Sequence, residues 1–335
     1  MTYSTRSLHV TQMTPFDPET GAVLVDEIVA FARKLAATAS PLPLVPIINA
    51  EAGEIFTLTQ EEQTRNIEAV VAAGVGPVVA GVVGRTGREA AAYAEAALSA
   101  GATALFVLPP MGSADVTVCW DPAAYPEVAV DYIKKIAAAA GDVPLIIHPT
   151  GPRSAAWGLG WPLEAVQATI RSVPTVQGWK MTYSYEAFRR IARWIHADAP
   201  HVAVLPSSAV RYQENLANRQ LDGACSGSFT YALNPMIEHI TAWSQGDVER
   251  ATDQWLSGLA ELHEFVYSDY SRLHIRYKLA AWLAREISSP FMRDPLPGPS
   301  MFEAQRLQAL LPAAGIPARE NQEIEALFKE PVGAV

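Results

Sequence analysis

Short apolar runs alternate with helix-period stretches along the first three quarters of the chain, and nothing else in the sequence restricts the fold as tightly. Strand-like runs fall at residues 8–13, 44–48, 78–83, 103–108, 143–147, 175–179, 202–205 and 223–228. Each is followed by apolar residues at helical spacing, over 23–37, 59–73, 88–99, 122–140, 162–173, 185–196, 210–218 and 235–245. Thr59 with Glu62 three residues on reads as a capping box opening the second helix. Near-continuous apolar strands separated by helices belong to a parallel sheet covered on its faces. Eight such βα repeats predict an α/β fold, a (β/α)8 TIM barrel over residues 1–246, with a doubly wound sheet as the lesser option.

Beyond Gly246 the strands stop. Helical periodicity over 247–267, 273–287, 301–311 and 322–329, broken by Pro290, Pro295, Pro297 and Pro299, predicts a C-terminal helical extension over 247–335. Its apolar faces must bury against the barrel's outer helices or against another subunit. Of the 335 residues 50% are hydrophobic and 18% charged, which is enough apolar surface for a large core and excludes a disordered chain. The net charge of −10, with no basic run, argues against nucleic acid or an anionic membrane as partner and for a small molecule. No apolar run reaches membrane-span length, residues 1–10 lack a signal-peptide pattern, and two cysteines, Cys119 and Cys225, make no disulfide framework, so a cytoplasmic setting is expected. No His, Asp, Glu and Cys cluster has metal-ligand spacing, so neither a metal nor another cofactor is implied.

In a barrel the strand ends converge on one mouth and carry the chemistry. The sixth run ends on Gly178-Trp179-Lys180, a single lysine closing an apolar strand. Poor hydration disfavours the ammonium form of such a lysine and makes its amine a nucleophile toward carbonyls; the competing reading is a lysine that snorkels to solvent. The other ends supply Thr14-Pro15-Phe16, the loop from Asn49 through Glu51, Ala52, Gly53 and Glu54, then Pro110-Met111 and His148, with Arg153-Ser154 after the fifth strand. Gly84-Arg85-Thr86-Gly87-Arg88 has the composition of a phosphate loop without its Gly-Lys-Ser/Thr ending and reads as a βα turn. Aromatic residues in the fourth and fifth βα loops, among them Trp120, Trp157 and Trp161, either shape a pocket or pack under a loop.

Taken together, these pieces resemble the dihydrodipicolinate synthase and N-acetylneuraminate lyase family of class I, lysine-dependent aldolases, over roughly residues 8–296. Thr14-Pro15-Phe16, Gly53-Glu54 with Leu58-Thr59, Gly178-Trp179-Lys180, Arg153-Ser154, Lys278 and Arg293-Asp294-Pro295-Leu296 carry the resemblance. It implies a lyase acting on a 2-oxo acid, a Schiff base on Lys180, and a homo-oligomer, dimer or tetramer.

The departures from the family pattern are equally specific. Glu51 and Ala52 stand where the family has two hydroxyl residues that bind the keto-acid carboxylate and relay a proton. His148 stands where it has a proton-shuttling tyrosine, and Pro110 or Met111 where a neighbouring subunit's tyrosine is supplied. Ordinary dihydrodipicolinate synthesis is therefore not expected. Glu51 beside His148 would raise the imidazole pKa toward working pH and rebuild the relay as a general acid/base pair. Arg153 is the expected binder of a substrate carboxylate, helped by backbone N–H groups near Ala52 and Gly53. Ser207, Ser208, Ser226 and Ser228, ending strands seven and eight, suit the hydroxyls of a polar substrate or simply fit a narrowing barrel. The alternative reading is a barrel that has lost catalysis and binds a metabolite as a sensor or scaffold.

Overall fold

A computed structural model describes residues 3–111 and 121–329 of the chain. Among the described residues eight parallel strands form the barrel: Leu8–Thr11, Leu44–Ile48, Val79–Val82, Ala104–Val107, Leu145–Ile147, Val176–Met181, Ala203–Pro206 and Ala224–Ser226. The ladder runs from the eighth strand through the first and onward to the seventh. The seam between the seventh and eighth strands is held by Asp222, whose N–H donates to Val204 O at 3.2 Å while its Oδ2 accepts from Val204 N at 2.9 Å.

Two apolar layers explain why the strands read as unbroken hydrophobic runs. Val45, Ile47, Val79, Phe106, Ile146 and Leu205 fill the barrel interior, while Val82, Val107, Ile147 and Trp179 face the surrounding helices. The second helix, Gln60–Ala72, opens on the expected capping box, Thr59 Oγ1 accepting from Glu62 N and Glu62 Oε2 from Thr59 N. Gly84–Arg88 is a βα turn, with Thr86 capping the helix Gly87–Ser99.

Three differences from the sequence reading affect the site or its surroundings. The fifth βα connection contains a hairpin, Thr150–Ser154 against Gly158–Gly160, that the periodicity did not show because it is short and polar. The eighth helix, Phe229–Ser244, begins six residues early and tolerates Pro235 because it is kinked at Ala232 (φ −130°, ψ 36°). The long C-terminal helix is divided, Val248–Gln254 and Ala260–Tyr267 flanking a wider turn at Trp255–Leu259, where Gly258 adopts φ 156° and packs against Ala313. Trp120, Asp115 and Cys119 lie outside the described residues.

The C-terminal helices Leu273–Leu283 and Met301–Ala313 bury Leu279, Leu283 and Leu307 in one apolar cluster with Leu8, Val10 and Phe229. The barrel's own outer surface thus covers the extension's apolar face. No helix among the described residues is long and apolar enough to cross a membrane.

Candidate active site

Lys180 owes its position to a slip in register. The sixth strand pairs with the fifth as Leu145 with Val176, then as Ile146 with Gly178, so Gln177 is an extra residue. That bulge keeps Val176 and Trp179 both on the helix side and turns Gly178 and Lys180 into the barrel. A side chain at Gly178 would meet Ile146 and Leu205 at about 3.0–3.1 Å, so glycine leaves the space beneath the lysine to the core. Lys180 is 4% exposed, and its Nζ sits 5.1 Å from the centroid of the Phe106 ring. The amine does not snorkel. It donates to Oε1 of Glu51, forming an ion pair inside the barrel.

Glu51 is brought there by a tightly wound loop. Asn49 (φ 57°) and Glu54 (φ 59°) take left-handed conformations at its two ends. Asn49 donates to Gln63 O and accepts from Asn66 Nδ2, which ties the turn to the second helix. Gly53 is required by close approach, since a Cβ there would lie 2.6 Å from Gln12 O. Of the loop N–H groups expected to hold a carboxylate, that of Gly53 donates to Ala50 O at 3.0 Å, and the next two, Glu54 and Ile55, donate to Glu51 O and Ala50 O; the Ala52 N–H takes no part in these turn bonds. Ala52 is buried in the apolar layer beside the first and eighth strands.

His148 follows the fifth strand, edge-on to Phe106 with ring centroids 5.5 Å apart, and its Nδ1 is 3.6 Å from Glu51 Oε1. That is too long for a hydrogen bond, and Nδ1 has no other partner. The sequence predicts that Glu51 raises this imidazole; the structure reverses the sign. Burial, reinforced by the Lys180 charge, outweighs the pull of Glu51 and holds the imidazole down at about 3, so it is neutral throughout the physiological range. Burial pushes the Glu51 carboxyl up, but Lys180, His148 and His274 pull it the other way and keep it at about 2, an anion. Its second oxygen, Oε2, is buried without a donor.

The remaining candidates occupy different places. Arg153 is exposed on the hairpin, its guanidinium carbon 5.3 Å from the Tyr270 ring centroid. With Arg211, Thr182 and Tyr183 it lines a cleft of about 550 Å3 beyond the end of the lysine strand. Neither arginine has a carboxylate partner among the described residues. Ser207 donates to Met181 O at 2.7 Å. Ser226 and Ser228 are buried and committed to protein partners, which corrects their reading as substrate binders: Ser226 Oγ donates to Ser228 Oγ, Ser228 Oγ contacts Tyr267 OH at 2.9 Å, and Tyr267 donates to Ser207 O. Tyr277 completes that hydroxyl chain through Tyr267. Trp161 packs edge-on against Trp179, and Trp157 lies under Arg190, so both are packing residues.

His274, Tyr267, Tyr270 and Tyr277, all from the C-terminal helices, together with Arg211, were not found from sequence. No βα periodicity marks the first four, because they reach the mouth from outside the repeat, whereas Arg211 lies in the seventh βα unit, on the turn Ala209–Arg211.

Residues 45–314 match the family described as the dihydrodipicolinate synthetase family. The chain belongs to that family. Among solved structures it is similar to dihydrodipicolinate synthase from Aquifex aeolicus, with a TM-score of 0.72 and 20% identity over 94% of this chain and 99% of the other. It is also similar to YagE, a prophage protein of the same family from E. coli K12 crystallised with pyruvate, with a TM-score of 0.75 and 19% identity over 92% and 98%. A family protein from Coccidioides immitis aligns with a TM-score of 0.72 and 20% identity over 92% and 97%. No curated protein sequence matches the chain. At these identities the structural neighbours establish the fold, a (β/α)8 barrel with C-terminal helices. Members of the dihydrodipicolinate synthetase family are generally lyases.

Proposed function

We propose that the chain is a lysine-dependent lyase that captures an oxo acid as an imine on Lys180 and then breaks or forms a carbon–carbon bond, or removes water. The observation that carries this reading is a buried primary amine, inside the barrel mouth, flanked by an ionised carboxylate and a neutral imidazole. Family membership supports the reaction class, and the pyruvate bound to the E. coli neighbour supports small oxo acids as its ligands.

The residues divide the work by their chemistry. Lys180 Nζ attacks the carbonyl carbon once it has given a proton to Glu51 Oε1, its hydrogen-bond partner. Glu51 is a poor base at rest because the Lys180 charge stabilises its anion; as that charge leaves, the upward push of burial remains and its basicity rises. It can then return the proton to the carbinolamine oxygen, which departs as water. The resulting imine withdraws electrons from the neighbouring carbon, and neutral His148 can take or give the proton whose transfer accompanies bond cleavage. Arg153 with Arg211 supplies the cations for the substrate's acidic group.

One observation favours the rival reading of a non-catalytic binder, namely that the resting amine is occupied by Glu51. Borohydride trapping separates the two. The full chain incubated with a panel of oxo compounds and then reduced should gain the mass of the compound, mapped to the peptide holding Lys180. A panel giving no adduct would leave only the binder.

A further inference from the structure

A second charged surface lies close to the amine. Where the lysine strand ends, Thr182, Tyr183 and Ser184 form one wall of the cleft of about 550 Å3, and Arg153, Arg211 and Tyr270 also line it. Lys180 and His148 are not among its lining residues, so a group held there is separated from the carbon bonded to Nζ. The occupant is therefore not the carboxylate next to the reacting carbonyl but something farther along the same molecule.

Both arginines are set up as donors to an anion. Arg153, on the hairpin, has its guanidinium carbon 5.3 Å from the Tyr270 ring centroid, and Arg211, in the seventh βα unit, 5.4 Å from that of Tyr185. Resting on a ring restrains a guanidinium through its face and leaves the N–H edge for hydrogen bonds. Among the described residues that edge makes one bond, a long one of 3.5 Å from Arg211 Nη1 to Tyr183 O. No Asp or Glu lines the cleft, and neither guanidinium has a carboxylate partner among the described residues. Thr182, in the wall, has a buried hydroxyl that is also without a hydrogen-bond partner. Two positive charges thus open onto one small space, in a chain whose net charge is −10.

Charge and geometry select the ligand. A carboxylate brings one negative charge and two oxygens in a plane, which a single guanidinium fork satisfies, leaving the second arginine unmatched. A phosphate monoester brings close to two negative charges and three oxygens pointing in different directions, which two forks can share. We infer that the Arg153–Arg211 cleft is a phosphate subsite, and that the compound captured by Lys180 is a 2-oxo acid ending in a phosphate ester. The inference rests on the imine reading above and deepens it: Lys180 holds the oxo end, and the two arginines hold the far end.

The test uses 2-oxo acids of graded chain length, each made in three forms that end in a hydroxyl, a carboxylate or a phosphate ester. Their reacting ends are identical, so differences in borohydride trapping report the far end alone. At the best chain length the full chain should form its Lys180 adduct with the ester at least about tenfold faster than with either partner, and Arg153→Gln and Arg211→Gln should each reduce that ratio at least about tenfold. A hydroxyl form trapped as fast as the ester overturns the subsite, and a carboxylate form trapped as fast overturns the phosphate assignment, in both cases with the imine intact. A preference that survives both substitutions overturns the cleft as its source. If no oxo acid gives an adduct, the imine reading falls, and calorimetric titration with inorganic phosphate, against sodium chloride at equal ionic strength, decides the subsite alone. Saturable binding weakened at least about tenfold by Arg211→Gln supports it, and the absence of saturable binding overturns it as well. Circular dichroism guards against misfolded variants, and the comparison of the three forms on the unaltered chain stands without them.

Discussion

Two buried lysine–glutamate pairs hang from one short loop, and they are built to opposite ends. Glu54 meets Lys278 at 2.5 Å, both side chains wholly buried. Every polar atom of that pair is engaged: Glu54 Oε2 accepts from Arg293 N, and Lys278 Nζ lies 4.1 Å from the Phe16 ring centroid, with Arg293 over the same ring and bound in turn to Glu62. Three residues earlier Glu51 meets Lys180, but its Oε2 and the neighbouring His148 Nδ1 are left without partners. A buried pair whose hydrogen bonds are complete fixes structure, here the second βα loop against the C-terminal helices; one left incomplete is available to a ligand. The charge balance agrees. Burial lowers Lys278 to about 8 and raises Glu54, moving both toward their neutral forms, whereas Glu51 is held at about 2.

The widest gap between the pairs should appear in turnover. Lys180→Met is expected to abolish the borohydride-trapped adduct and to lower kcat on the order of 10^4-fold or more, while Lys278→Met, in whatever fraction stays folded, retains the adduct. Loss of activity from both with adducts on neither would erase the distinction. His148→Phe comes next, with an expected loss of roughly 10^2 to 10^4-fold in kcat and adduct formation preserved, measured by single-turnover kinetics beside intact mass. Full activity in that variant would remove the imidazole from the mechanism.

Stability reverses the ranking. Lys278→Met strands Glu54 and should cost about 3–5 kcal/mol in denaturant unfolding, much of it recovered when Glu54→Gln is added. The pH dependence sharpens the contrast at the working site. His148 has a folded value of about 3 against an ordinary 6.5, so the unfolded chain binds its proton first, and stability falls as pH drops from about 6.5 toward 3. His9, His239 and His263 are also lowered by burial, so the measurement is a difference: Tm of the unaltered chain should fall more steeply over that window than Tm of His148→Phe. The kcat profile should likewise show no histidine inflection between about pH 5 and 8. Smallest of all, Thr59→Ala removes the cap behind the loop that carries both glutamates and should cost about 1 kcal/mol with kcat unchanged.

Much of this could be read from residue order alone. Eight apolar runs separated by helix-period stretches leave a parallel barrel as the economical way to bury both faces of each strand, and Thr59 with Glu62 marks a helix start through bonds made within four residues. Lys180, Glu51 and His148 could be picked out because strand ends in such a fold share one mouth. Tertiary structure decided the rest. The bulge at Gln177 determines that Lys180 faces inward, and a one-residue slip is invisible in a pattern apolar on both faces. His274, Tyr267 and Tyr277 approach from helices outside the repeat, so no periodicity announces them. The sign of the His148 shift depended on weighing burial against a neighbouring charge, a balance set by three-dimensional packing that the spacing of residues along the chain does not contain.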